Sequence, residues 1–392
     1  MKRLSVESLL PALCVVLATV VILGVSFEQN GDLERTVRFY VGFLGVAAVL
    51  AIFALALNLQ WGNTGVFNFG VAGFFLIGAY TAAIITKEPD RTSFEDYFGG
   101  FGPKLDIAPF LHTDQWFPFL VAIVVSGAVC GLIAYLISIP TLRLREDYLA
   151  IATIGVAELT RRIAIEEQSI GNGTRGLGNI PGPLQGTVNA NDYRYVFLTV
   201  AIVLVVILFI VLERSVRSPW GRVLRALRED ELTTEASGKS VSAYKTQAFV
   251  MGAVIMGVGG AMYAFEARAI SPETFTHFFG TFLIWTMVIV GGSGNNKGVL
   301  VGAYVVWAFW QSSLLIQSYD MPDVLQVRIP FFRDMILGLL IVIVLLFMPK
   351  GLIPERARVS IWAERALRGI RQADAGGPAP PPTPDKTETK DT

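Results

Sequence analysis

Residues 215–245 read SVRSPWGRVLRALREDELTTEASGKSVSAYK, a polar stretch set between two long apolar runs. Val223, Leu224, Leu227 and Leu232 recur in it at helical spacing, and Arg222, Arg225, Arg228, Glu229, Asp230 and Glu231 take the positions between. An apolar stripe on an otherwise charged segment predicts a short amphipathic helix. Held just outside a bilayer by two spans, such a helix can seat in a groove on a soluble partner and pass that partner's movement to the spans. That reading depends on the flanking runs crossing a membrane.

They are long enough to do so. The chain has 392 residues, 53% hydrophobic and only 16% charged, and its apolar residues gather into runs near the roughly 20 that a helix needs to cross hydrocarbon. Ten such runs cover residues 9–25, 39–57, 66–85, 117–139, 148–165, 195–212, 246–265, 278–290, 299–316 and 333–348. The fold class is therefore all-α: a polytopic membrane protein of about ten helices.

The formal net charge is zero, so total charge points neither to nucleic acid nor to an acidic partner; where the charges sit is informative. Seven basic residues (Arg214, Arg217, Arg222, Arg225, Arg228, Lys239, Lys245) assign the 214–245 loop to the cytoplasm, as Arg143 and Arg145 do for their hairpin. The loop 87–116, with six acids against three bases, belongs outside. Ten spans then leave both termini in the cytoplasm. Lys2 and Arg3 ahead of the first run also fit a cleavable signal, with Gly24-Val25-Ser26 as a weak site, although the run is long for one.

Polar side chains inside apolar surroundings mark candidate sites. Asn58-Leu59-Gln60-Trp61-Gly62-Asn63-Thr64-Gly65 and Phe67-Asn68-Phe69-Gly70 lie between the second and third runs. The segment is either a cytoplasmic turn or a helix broken at its glycines, a break tolerated at membrane depth only where protein or a water-filled cavity satisfies the freed backbone. In the second case Asn58, Gln60, Asn63, Thr64 and Asn68, with Trp61 among them, line a pathway able to hydrogen-bond a small polar solute without adding charge. Glu158 in the fifth run has two readings as well. It can pair with Arg162 where the helix leaves the membrane, or line the pathway.

Other features carry no chemistry. Cys14 and Cys130 are lone thiols in apolar runs, and His112 and His277 have no ligand spacing. Gly291 to Gly298 lacks the Gly-Lys-Ser/Thr ending and the preceding strand of a phosphate loop, and reads as a tight turn. The glycine-rich stretch 171–178 is an ordered external turn or a lid. Gly252, Gly257, Gly259 and Gly260 predict close helix packing. No serine has a nucleophile-elbow context, so no catalytic set, metal or cofactor is expected on this chain. Beyond a membrane domain ending near residue 353, Val359, Trp362, Ala363, Ala366, Leu367 and Ile370 predict an interfacial helix over 354–371, and the Pro-rich 372–392 a disordered tail.

Several segments together carry a family resemblance. Leu57-Asn58-Leu59 through Gly62, Gly65 and Asn68 comes first, then Gly78-Ala79-Tyr80-Thr81-Ala82-Ala83 and Thr141-Leu142-Arg143-Leu144-Arg145 with Tyr148-Leu149-Ala150-Ile151. Arg225-Ala226-Leu227-Arg228-Glu229 to Gly238, Ser271-Pro272-Glu273-Thr274-Phe275, Gly291-Gly292-x-Gly294 and Pro349-Lys350-Gly351-Leu352 follow in order. This set resembles the permeases of the branched-chain amino acid ABC importer family, the LivM type. The resemblance implies an ABC-importer permease in a bacterial inner membrane, paired with a homologous second permease. It also implies two cytoplasmic ATPase subunits, which use ATP, and a periplasmic solute-binding protein. Arg222, Val223, Leu224, Leu227, Glu231 and Gly238 would then belong to the helix seated on an ATPase.

Thr233-Thr234 stand where relatives usually carry two alanines, and 59–62 and 67–73 differ from the commonest branched-chain form. Those departures leave other neutral amino acids, or urea and short amides, as alternative solutes. An ion-coupled secondary transporter is the alternative from another class, but it needs ionisable groups inside the membrane, which apart from Glu158 and its neighbours the runs lack.

Overall fold

A computed structural model describes residues 6–87, 116–183, 190–317 and 323–355. All of these but Glu355 belong to one compact unit, Met1–Pro354. The expected interfacial helix and tail lie outside the described residues, apart from Pro354 and Glu355.

The chain opens with α1 (Val6–Asn30) and α2 (Leu33–Leu57). Asp32 caps α2 by accepting from the Glu34 amide, as a short acidic side chain does at a helix start. A π turn, Asn58–Gly62, prolongs α2, an irregular stretch follows, and α3 spans Val71–Thr86. Next come α4 (Trp116–Thr141), α5 (Glu146–Glu166), the short α6 (Gln168–Gly171), the 3-10 turn Gly173–Arg175 and α7 (Ala190–Arg217). The polar loop holds α8 (Pro219–Glu229) and α9 (Glu231–Ala236), and leads into α10 (Val241–Ala267). A 3-10 turn, Pro272–Phe275, and a π turn, Phe278–Phe282, precede α11 (Leu283–Gly291). The described chain finishes with α12 (Asn296–Gln317) and α13 (Asp323–Phe347).

Each of the ten expected spans overlaps a helix, although residues 66–70 of the third are irregular and Phe278–Phe282 of the eighth form a π turn, and no strand occurs among the described residues. On length and apolarity six helical stretches are sufficient to cross a membrane: Leu10–Glu28, Leu33–Gly62, Trp116–Thr141, Asp192–Arg217, Val241–Ala267 and Arg328–Phe347. Two more, Val71–Thr86 and Phe278–Gly291, are apolar but shorter. At 1.5 Å per residue α3 is about 24 Å long, less than the roughly 30 Å of hydrocarbon. Segments of irregular chain must make up the difference, and their backbone groups need partners.

α10 is the axis of the bundle, packed against α2, α3 and α4. Its glycines make this possible. A Cβ at Gly260 would stand 2.6 Å from the Phe75 carbonyl oxygen, and one at Gly257 2.5 Å from that of Ser126. Helices in lipid gain nothing from hiding apolar surface from other apolar surface, so backbone-close packing of this kind holds them together. Around this axis α1, α7 and α13 turn apolar side chains such as Val20, Ile207 and Leu346 outward. The stretch 171–178 is an ordered turn: Leu177 pairs with Ile270 through two backbone hydrogen bonds of 2.8 Å.

Candidate functional site

The segment after α2 is a π turn, Asn58–Gly62, followed by irregular chain up to Gly70. The break frees backbone groups, and side chains from within it and from neighbouring elements take them. Asn58 Nδ2 donates to Asn296 Oδ1 (2.9 Å), while Asn58 Oδ1 accepts from the Gly294 amide (2.8 Å). Gln60 Nε2 donates to the Phe249 carbonyl (2.7 Å), and its Oε1 accepts from Asn68 Nδ2 (2.8 Å). Asn63 donates both its amides to the Asn58 carbonyl, Thr64 Oγ1 donates to Leu59, and Asn68 Oδ1 accepts from Gly70. Asn58, Gln60, Asn63, Thr64 and Asn68 are all buried. In this arrangement the polar groups expected along a pathway hold the break in shape, the role required of anything replacing water at that depth.

The second interruption, before α11, is tied to the first. Thr281 Oγ1 donates to the Phe69 carbonyl (3.2 Å) and accepts from the Ala72 amide (3.1 Å); Trp285 Nε1 donates to the Asn68 carbonyl (3.0 Å). From α5, Thr153 Oγ1 accepts from the Phe69 amide (3.1 Å). Trp285 also gathers the aromatic rings beside the amides: Phe69 stacks on it at 4.3 Å, and Trp61 lies 4.6 Å away. Trp61, Phe67 and Phe69 are only partly buried, so this ring cluster and the amide knot together form one wall with an accessible edge. Thr153, Thr281, Trp285 and Asn296 escape a sequence reading, since one polar residue in an apolar run carries no direction.

The polar loop connects directly to this knot. Arg228 Nη1 donates to the carbonyl of Gly62, the last residue of the π turn. Asn296, which holds Asn58, also donates to Glu213 Oε2 at the foot of α7 (3.2 Å). Two routes therefore run from the loop to the break, through Arg228 and through Glu213. The loop itself is well capped. Ser218 and Pro219 start α8, and Asp230 starts α9, accepting from the Thr233 hydroxyl (2.7 Å) and amide (3.1 Å). Those two donors hold the Asp230 carboxyl below the usual carboxylate range. Lys245 pairs with Glu231, and Gly238 closes α9 with a positive φ of 80°.

One expectation for this loop is corrected. The apolar stripe does not form a single helix facing a partner: the chain bends at Asp230, Leu224 and Leu227 are 0% and 2% exposed within this chain, and Val223 is half-buried. They seat the loop on its own spans, α8 packing against α7 and α10. What α8 and α9 leave open is the other side, with Arg222, Ala226 and Glu229 exposed and Leu232 79% exposed.

Glu158 joins a different group. Its carboxylate takes Arg161 (3.0 Å) and Arg162 (2.9 Å), with His277 Nε2 at 3.4 Å, while Arg161 reaches Glu273 (3.4 Å). This ion-pair cluster ties α5 to the turns before α11; none of its partners comes from residues 58–70. The fold brings His277, which has no ligand spacing in the sequence, to this cluster. No group of acids, histidines and cysteines with metal-holding geometry occurs among the described residues.

The sequence profile of the family described as branched-chain amino acid transport system / permease component matches residues 39–345. The chain belongs to that family. Among its relatives is the high-affinity branched-chain amino acid transport system permease protein LivM of Salmonella typhimurium, 29% identical over 340 residues, covering 81% of this chain and 70% of that one. The probable branched-chain amino acid transport permease protein LivM of Methanocaldococcus jannaschii is 29% identical over 323 residues, 78% of this chain and 90% of its own. A more distant relative, the guanosine ABC transporter permease protein NupQ of Bacillus subtilis, is 24% identical over 277 residues, 69% and 81% of the two chains. No solved structure gives a significant match. The chain is thus a multi-pass membrane permease, and neither a urea or short-amide importer nor an ion-coupled secondary transporter is favoured.

Proposed function

We propose that this permease moves branched-chain amino acids inward through a bacterial inner membrane as one half of a paired permease, with ten spans and both termini in the cytoplasm. A homologous second permease completes the pair, two ATPase subunits bind and hydrolyse ATP, and a periplasmic binding protein delivers the solute. The observation that carries the reading is the family match over residues 39–345 in a chain whose loop arginine, Arg228, holds the broken helix at Gly62. An ATPase displacing α8 and α9 would move Arg228 and so the knot of Asn58, Gln60 and Asn68, the wall against which solute would pass. Relatives named for nucleosides are more distant, at 22% and 24% identity. Amino acids are therefore the solute class supported best.

The test is uptake by vesicles containing the assembled transporter. Radiolabelled leucine should accumulate with internal ATP and external binding protein, while an ion gradient alone gives nothing. Guanosine entering in place of leucine would reject the solute, and gradient-driven entry would reject the mechanism. In the same vesicles Leu232→Asp places a charge on the exposed side of the loop. It should lower solute-stimulated ATP hydrolysis roughly tenfold, equivalent to about 1.4 kcal/mol of docking energy.

A further inference from the structure

α2 carries two residues without side chains, Gly42 and Gly45, on the side that meets α7 and α10. Arg194 of α7 lies over the first, its Nη1 3.9 Å from where a Cβ would be, and Glu266 of α10 lies over the second, its Oε1 3.4 Å from the same point. The space left open is a cavity of about 770 Å³, reaching along α2 from Arg35 to Val46. Eleven residues of helix make that depth about 16 Å. The cavity begins near the start of α2, the end remote from the polar loop, and its volume lies within the roughly 300–1,000 Å³ of small-molecule sites.

Its charges are arranged for something other than each other. No hydrogen bond joins Glu266 to a described residue, and the cations whose fields reach it are Arg194 and Arg268. Two more arginines line the cavity at the start of α2: Arg35 is exposed, and Arg38 pairs with Glu34 (3.1 Å). Arg268 is held in place elsewhere. It closes α10 in the left-handed conformation, φ 57°, with its guanidinium 4.2 Å above the Tyr193 ring. Phe43 and Trp307, buried and stacked at 6.4 Å, supply apolar lining. A carboxylate kept apart from guanidinium groups across a gap, with aromatic rings beside it, matches the three parts of a neutral α-amino acid. A plain anion would use the arginines and face Glu266; a plain cation would do the reverse. A molecule bearing both charges uses both, and lays its hydrocarbon on the rings.

We propose that this cavity binds a zwitterionic α-amino acid, with the ammonium on Glu266, the carboxylate on Arg194 and Arg268, and an aliphatic side chain against Phe43 and Trp307. The proposal rests on the importer reading above and assigns the solute a station on the side away from the ATPases. Titration calorimetry tests it on the purified permease–ATPase complex without binding protein, using leucine, 4-methylpentanoate, which lacks the ammonium, and leucinol, which lacks the carboxylate. Leucine should bind at least about tenfold tighter than either analogue, and both Glu266→Gln and Gly42→Leu should weaken leucine by a similar factor. The analogue series needs no variant and so stands even if a substitution fails to fold. Equal binding of 4-methylpentanoate and leucine would show an anion site and overturn the proposal. Absent leucine binding, or binding indifferent to both substitutions, would overturn it too. Leucine uptake by the parent transporter, measured alongside, separates the two claims: uptake without cavity binding rejects this site alone, whereas no uptake rejects the importer reading beneath it.

Discussion

The chain interrupts two of its helices in membrane surroundings and handles the two cases differently. Between α2 and α3 the backbone goes extended for several residues, and the freed groups are met by Asn63, Thr64 and Asn68 from within and by Thr153, Thr281, Trp285 and Arg228 from other elements, while Asn58 and Gln60 tie the break to its neighbours. Before α11 the backbone only widens into a π turn, Phe278–Phe282, which keeps most of its own hydrogen bonds. There the surroundings are aromatic, with Phe75 and Trp310 next to Phe279, and Thr281 is the polar side chain that bridges back to the first break. The polar content of an interruption thus follows the number of backbone groups it releases. Amides in the sequence mark the costly break, and a run of phenylalanines marks the inexpensive one.

Gln60→Leu attacks the amide-rich interruption hardest. It strands the Asn68 amide, at about 1–3 kcal/mol for a buried group, and removes a second bond from the Phe249 carbonyl, which keeps its helical one, so the loss should be near 3 kcal/mol. Thermal unfolding of the purified permease in detergent reads this as a large drop in midpoint, and an unchanged midpoint would mean that the amides are dispensable. Thr281→Val cuts the stitch between the two interruptions at similar volume. It removes one donor and one acceptor, and about 2 kcal/mol should go, with α11 itself still helical by hydrogen exchange. Loss of protection throughout α11 would show that the π turn depends on its neighbour. Arg228→Gln is mildest for stability, about 1 kcal/mol because the arginine is partly exposed, but leucine uptake should fall severalfold as the loop loses its hold on Gly62. Uptake equal to the parent's would shift the coupling to the Glu213–Asn296–Asn58 route.

Much of the fold was legible beforehand because hydrocarbon thickness is a strict ruler. Each run overlaps a helix, even the charged one at residues 148–165, whose Glu158 and Arg162 pair four residues apart as spacing requires. What was not legible has a common cause. Glycine and amide residues suit a turn and a broken helix equally, so residues 58–70 stayed ambiguous until their partners Asn296, Phe249 and Thr281 were located. In the loop, periodicity showed that Leu224 and Leu227 are covered but not by what; the covering surface turned out to be the chain's own. His277 beside Glu158 is likewise a meeting across more than a hundred residues that no local pattern encodes.

The segment after α13 folds back on the α11–α12 turn, where the Leu352 amide donates to the Val290 carbonyl (2.8 Å) and the Ile353 amide to that of Gly291 (3.0 Å). A growing chain meets these partners in strict order. With Ile353 lying 62 positions after Gly291, and synthesis proceeding at about 5–20 residues per second, the turn waits roughly 3–12 s for the segment that completes it. During that interval Asn58 can already take the Gly294 amide, since its own helix was made long before. The first interruption is thereby able to anchor the nascent turn before Leu352 and Ile353 arrive.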